Sequence, residues 1–209
     1  MKAALTRPLA LSLLIAGLSA SCSSILAPVH DPNHFFSLVP LPQEQRAAMQ
    51  PDNSGHTRYA LGPITLAAYL DRETLVTRVG PTQLRYSPVD YWAGSLKDNI
   101  SSVLLQNLSA PTGSDRILVY PWPNNATFDY QIEVEMLRFE PSVSGECQLT
   151  ARWAIRDGRT QHDLIVRESQ FTRPPSAADT AAAVAALSAA LGDLSQEIAT
   201  SLHGLPKPA

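Results

Sequence analysis

The chain has 209 residues, with 16 basic and 19 acidic side chains, a formal net charge of −3 and 44% hydrophobic residues. That is room for one domain with a real core, and too little for two comfortable ones. No basic run exceeds two residues, so nucleic acid and anionic lipid surfaces are poor candidate partners.

The N-terminus carries two basic residues, Lys2 and Arg7, then an apolar run from Leu9 to Leu18, then Ser19-Ala20-Ser21 and Cys22. Basic, apolar and small in that order is a secretory signal peptide, and the apolar run is too short to span a bilayer. A cysteine at the cleavage point marks a bacterial lipoprotein, in which the thiol is acylated and the Cys becomes the first residue. Cys22 is therefore the expected lipidation site. Ser19 stands three before it, where Leu is usual, with Leu18 one step further back. A secreted protein cleaved near Ala20 is the other reading of this signal. Ser23, rather than Asp, follows the cysteine and points to the outer membrane, facing the periplasm. Three acyl chains anchor firmly where one gives only marginal binding.

Residues 1–21 are read as signal, 22–33 as a tether, 34–204 as a single domain and 205–209 as a tail. Cleavage removes two basic residues and no acidic ones, leaving 188 residues with a net charge of −5. The eleven residues from Ser23 to Asn33 reach about 36 Å when fully stretched. That holds the domain near its membrane and does not cross a periplasm.

The first strand is expected at Phe35–Val39, followed by an irregular segment from Leu41 to Tyr59 with Pro42, Pro51, Asn53 and Gly55. Alternation of Ile64, Leu66, Ala68 and Leu70 predicts a second strand, with Tyr69 on its polar face. Leu75–Arg78 and Gln83–Tyr86 flank Gly80-Pro81-Thr82 and predict a hairpin. Ser87, Pro88 and Asp90 resemble a helix start, and an apolar stripe from Val89 through Trp92, Leu96, Ile100 and Leu104 to Leu108 predicts a helix ending near Ser109. Short strand Ile117–Tyr120 follows. The alternation of Phe128 to Met136 then changes phase at Leu137 and Phe139, which predicts a bulge near Met136. Cys147, Leu149, Ala151, Trp153 and Ile155 share one face of the next strand. Asp157-Gly158 is a hairpin signal, with the return strand from His162 to Phe171. Ser176 and Asp179 have cap spacing before an Ala-rich second helix with Val184, Leu187, Leu191, Leu194, Ile198 and Leu202 in a stripe, stopping at Gly204.

Two amphipathic helices and a set of strands fit an α/β (α+β) two-layer sandwich: a mixed, mostly antiparallel sheet with both long helices on one face. The other face carries Glu133, Glu135 and Arg152, open to solvent or a partner.

With Cys22 used for lipid, Cys147 has no partner within the chain, and its strand face makes it a small buried apolar residue. The five His residues and one free Cys show no zinc spacing, so no metal or cofactor is expected. The chain has no Gly-Xaa-Ser-Xaa-Gly elbow, no phosphate-cradling Gly-rich loop and no His-Glu-Xaa-Xaa-His. Glu133 and Glu135 read as a solvated strand face and Asp71-Arg72-Glu73 as a turn ion pair. No catalytic residue is assigned and the protein is not expected to be an enzyme. Trp92 and Trp153 belong to the core, whereas Tyr69 is an exposed candidate for ligand contact.

Several segments carry a resemblance: Tyr69-Leu70-Asp71-Arg72 with Val76-Thr77-Arg78, Trp92-Ala93 followed by Leu96, Arg138-Phe139 closing the strand from Tyr130, Leu149-Thr150-Ala151-Arg152-Trp153, and Ser188 with Leu194-Ser195 in the final helix. In order and spacing, from Phe35 to Leu202, these resemble the PqiC/YmbA lipoproteins, the ABC-type transport auxiliary or membrane-integrity-associated transporter subunits. Ala67-Ala68 departs from the family's Pro and Asp before Tyr-Leu, and Leu41 to Tyr59 looks like an insertion. The resemblance implies a non-enzymatic outer-membrane lipoprotein docking with an inner-membrane-anchored MCE-domain protein in intermembrane lipid transport or envelope integrity. Some members of that family assemble as rings, and here self-association is expected because a tethered domain without an active site works through its free sheet face and edges, closing into a ring where the contact's rotation allows. The alternative is a stand-alone periplasmic lipoprotein that binds lipid or a small molecule.

Overall fold

A computed structural model describes residues 31–49, 57–112 and 117–205. Cys22, the signal segment, most of the tether, His56 and most of the tail lie outside the described residues. The elements are β1 (His34–Phe36), α1 (Gln43–Ala47), β2 (Tyr59–Leu66), β3 (Thr74–Arg78), β4 (Leu84–Trp92), α2 (Leu96–Thr112), β5 (Ile117–Val119), β6 (Tyr130–Pro141), β7 (Cys147–Asp157), β8 (Asp163–Arg173) and α3 (Thr180–His203).

The expected α+β class holds, with two long helices and strands of mixed orientation. The single expected sheet is divided in two. Five strands take the order β5-β2-β6-β7-β8, and three take the order β1-β4-β3. β5 and β6 both run parallel to β2, while β6-β7 and β7-β8 are antiparallel. The division has a local cause. β2 accompanies β6 only as far as Leu66 opposite Met136. Beyond it, β3 comes alongside the end of β6, with an isolated parallel bridge from Arg78 to Ser142, the residue after that strand. The predicted bulge falls at this exchange, between Met136 and Arg138 in the β6-β7 register.

α2 and α3 cover the face of the large sheet that carries Ile132, Val134, Met136, Phe139, Leu149, Trp153 and Ile155, all buried. Cys147 is fully buried on the same face, and burial pushes its thiol up to about 11. Trp92 packs against Phe139 with ring centroids 6.4 Å apart, as a core residue should. The Trp153 indole donates to Ser169 Oγ at 3.0 Å.

The α2-α3 crossing is held by small and polar residues rather than by the leucine stripe alone. Buried Asn107 donates from its amide to Ser195 Oγ at 3.0 Å and accepts from the Leu41 N–H at 2.9 Å. Ser188 Oγ accepts from the Val39 N–H at 3.2 Å. A Cβ at Gly192 would overlap the Leu41 side chain, so glycine there lets the segment after Pro40 lie against α3. That segment is therefore docked up to α1, while residues 50–56 lie outside the described residues.

Three local expectations are corrected. Ala67 to Leu70 form a turn after β2 rather than its second half. The 87–92 segment is strand, not helix. Its Ser87 does accept from the Asp90 N–H at 3.0 Å as a cap would, but inside a large bulge of β4 opposite Leu75. Asp90 then lies beside His34 of β1. The cap hydrogen bond is a local turn that does not commit the chain to helix. Asp179, not Ser176, caps α3, accepting from the Ala182 N–H at 2.7 Å.

Candidate docking surface

The outward face of the large sheet has two ends of different character. At the β3 end lies Glu140, whose side chain is fully buried. Its carboxylate accepts from Arg78 Nε at 2.8 Å, Arg138 Nε at 3.0 Å, the Tyr69 hydroxyl at 2.8 Å and the Phe139 N–H at 2.9 Å. The Tyr69 hydroxyl also lies 3.1 Å from the carbonyl of Leu137, the bulged residue. Side chains thus supply the hydrogen bonds that the ladder loses where β2 leaves and β3 enters. Burial first, and then the Glu140 carboxylate, push the Tyr69 phenol up to about 12. The hydrogen bond from Arg78 to Glu140 raises the guanidinium further. The site is a structural plug, fully engaged by its own partners.

Along the rest of β6, β7 and β8 the face is open. Each arginine of the central strand β7 is bracketed by acids from its two neighbours. Arg156 reaches Glu133 at 3.1 Å and Asp163 at 2.6 Å. Arg152 reaches Glu135 at 3.2 Å and Glu168 at 3.5 Å. Cross-strand register sets the Arg152 triad, because Glu135, Arg152 and Glu168 are successive partners across the sheet, whereas Arg156 stands opposite Asp163 and Gln131 and reaches Glu133 on the diagonal. The hydrogen bond that Arg156 donates to Asp163 raises its guanidinium. Four carboxylates meet two guanidiniums, so the patch carries an excess of two negative charges. Ala154 and Val166 separate the triads, and Val166 is 57% exposed. Together they line a shallow dish of about 350 Å³ with Pro63 and Thr65 at one side.

The structure bears on each sequence candidate. Glu133, Glu135 and Arg152 do share the outward face. Tyr69 does not belong to it as an exposed side chain; it is half-buried and both its hydroxyl contacts face the protein. Asp71, Arg72 and Glu73 are exposed in the turn before β3, where Arg72 stacks 5.0 Å over the Tyr86 ring. His34 meets Asp90 at 3.2 Å, and His162 is exposed. Among the described residues no group of three or more His, Cys, Asp or Glu side chains is placed to hold a metal ion. No described helix is long and apolar enough to cross a membrane. Sequence reasoning missed Glu140. After the phase change at Leu137, alternation places it on the polar face with Arg138, and nothing local marks that end as covered.

The profile of the ABC-type transport auxiliary lipoprotein component family matches residues 40–199, which include the plug, the open face and most of both long helices. No protein of curated function matches the chain. Among solved structures, protein XCC0632 from Xanthomonas campestris is similar with a TM-score of 0.65 at 17% identity, over 81% of this chain and 94% of that one. A second structure, of an uncharacterized protein, gives 0.65 at 15% identity, over 81% and 98%. At such identities the likeness is one of fold. The profile match spans well over half of the sequence, and on it the chain belongs to the ABC-type transport auxiliary lipoprotein component family.

Proposed function

We propose that this chain is the outer-membrane-anchored periplasmic docking subunit of an MCE-type intermembrane lipid transport or envelope-integrity system. Lipid on Cys22 anchors it, and its work is done by surface contact rather than catalysis. Family membership supports the transport role. The order of basic, apolar and small residues before Cys22 supports the anchor. The observation that carries the docking role is the open sheet face, where eleven-residue β8 lies at the edge and two Glu–Arg–acid triads flank an apolar floor. Such a charged, wet face suits a contact whose register is set by electrostatics. The 36 Å reach of the tether, at most about that, leaves the inner-membrane-anchored MCE-domain protein to span the gap. The subunit associates with copies of itself around that partner, as a ring where a heterologous contact closes.

The alternative of a stand-alone lipid-binding module drew on an exposed Tyr69 and on the long segment after Pro40; the inward contacts of the Tyr69 hydroxyl remove the first of these motives. Crosslinking in native envelopes tests the proposal. Recovery of an MCE-domain protein is expected; recovery of outer-membrane barrel assembly factors alone overturns it. Cys22→Ala is expected to release the protein from membranes without altering its fold. Continued partitioning with outer membranes in high salt would show that lipid is not the anchor.

A further inference from the structure

Successive side chains of β1 point to opposite sides of the small sheet. Phe36 packs against the core, whereas Phe35 turns away from it and is 63% exposed. The parallel register sets Phe35 beside Tyr91 of β4, with ring centroids 5.7 Å apart. Both rings border a cleft of about 450 Å³ that Arg72 and Gly94 also line. The Arg72 guanidinium lies 5.0 Å over the ring of Tyr86, itself 38% exposed. Three aromatic rings thus gather around one arginine, and an exposed patch of this kind marks a contact surface.

The place of this patch along the chain selects its occupant. Phe35 follows the tether by two residues, so an anchor on Cys22 delivers this patch to the bilayer first. The other exposed aromatic cluster, Tyr120 with Trp122 and Phe128, lies just before β6 begins. The tether enters at the far end of that strand: His34 meets Asp90, and Asp90 shares a groove with Pro141, the last residue of β6. Twelve residues of strand put those two ends roughly 37 Å apart. That distance consumes the whole reach of the tether, about 36 Å, whereas the Phe35 patch needs none of it. The surrounding charges choose the surface chemistry. Exposed Arg72, Arg85 and Lys97 are matched by exposed Asp71, Glu73 and Asp98. Balanced signs are not drawn to an anionic surface and fit headgroups that carry both. Aromatic rings beside polar groups suit the headgroup layer. Resting on the reading that Cys22 carries lipid, we infer that Phe35 and Tyr91 insert into the headgroup layer of the zwitterionic phospholipid leaflet that holds the anchor. So few rings do not hold a membrane alone, but the anchor presents the surface at an effective concentration on the order of millimolar.

The test uses the full-length protein, lipidated in cells and placed in vesicles of phosphatidylethanolamine and phosphatidylcholine. An environment-sensitive fluorophore is attached at Ala93→Cys, an exposed position between Trp92 and Gly94 of the cleft, and separately at Val166→Cys on the open face. Native Cys147 is fully buried and stays unlabelled. The Ala93→Cys probe is expected to shift to the blue and to be quenched by phospholipids bearing a nitroxide at the headgroup, while the Val166→Cys probe stays open to iodide in the water. Adding Phe35→Ser to the Ala93→Cys chain should remove most of that lipid quenching; Phe35 is exposed, so the fold does not depend on it. Two probes equally open to iodide on a chain that floats with the vesicles overturn the contact. So does lipid quenching that Phe35→Ser leaves unchanged. A blue shift without lipid quenching means that a protein covers the patch, and overturns it as well. A chain that does not float has no anchor, and the lipid reading of Cys22 falls with the contact. None of these results depends on recovery of an MCE-domain protein, so this contact and the docking role fail separately.

Discussion

Glu140 and Glu135 sit on the same strand, on the same outward face, and both bind arginine. One has a fully buried side chain and the other a side chain 47% exposed. Around Glu140 the turn after β2 and the end of β3 exclude water, and four donors converge on one carboxylate. Around Glu135 a single arginine is shared with Glu168 in solvent. The first is an obligation of the fold: once the second sheet closes over the bulge, a buried carboxylate and its donors must satisfy one another. The second is optional for folding and free to be used by a partner. Identical residue chemistry is therefore structural at one end of the face and open to solvent at the other, and the difference is water.

That contrast is broken most severely by Glu140→Ala. Removal of the shared acceptor strands two guanidiniums and a buried N–H and leaves the Tyr69 hydroxyl only the Leu137 carbonyl, and loss of one member of a buried pair costs about 3–5 kcal/mol. Chemical denaturation should show a loss of this size; a loss below about 1 kcal/mol would mean that the plug is no stronger than a surface pair.

Alkaline titration sharpens the contrast from the other side. Tyr69 and Cys147 are both raised, to about 12 and about 11, above ordinary values of 10.0 and 9.0. Between pH 9 and 12 the folded chain keeps protons that the unfolded chain has released. Stability then falls as pH rises, because the unfolded state binds fewer protons. Each group is fully stabilising below its unfolded value, and its contribution is lost by its folded value. Denaturation midpoints measured from pH 8 to 11.5 should decline over this window and flatten in part in Tyr69→Phe.

At neutral pH, Tyr69→Phe is expected to cost about 1–2 kcal/mol, since the single hydroxyl proton shared between Glu140 and the Leu137 carbonyl is lost. An unchanged denaturation midpoint would show that the hydroxyl does not fill the gap in the ladder. Arg152→Ala should cost less than about 1 kcal/mol and leave the fold unchanged while reducing crosslinking to the partner. A large loss of stability would place Arg152 with Glu140 among the groups the fold requires.

Much of this was legible from residue order. Strand β7 reads correctly because its apolar positions alternate without a break from Cys147 to Ile155, and the phase change after Met136 announced the bulge. The stripe of α3 and its stop at Gly204 also hold. The errors share one origin. Ser87-Pro88-Val89-Asp90 has the local hydrogen bonds of a helix cap and forms them, yet tertiary pairing with β1 and β3 keeps the chain extended. Ala68 and Leu70 have strand alternation but fall in a turn, because β2 gives up its place beside β6.

The sequence by itself determined which face of each long element is apolar, that two helices must cover a sheet, and that Cys147 is core. Those properties follow from periodicity, which is local and survives any arrangement of neighbours. Only the tertiary structure decided that β3 replaces β2 along β6, that Tyr69, Arg78, Arg138 and Glu140 meet there, and that the open face begins at Glu135. The reason is physical: whether a charged side chain is structural or available depends on what excludes water from it, and the covering residues lie 62 and 71 positions away along the chain from Glu140.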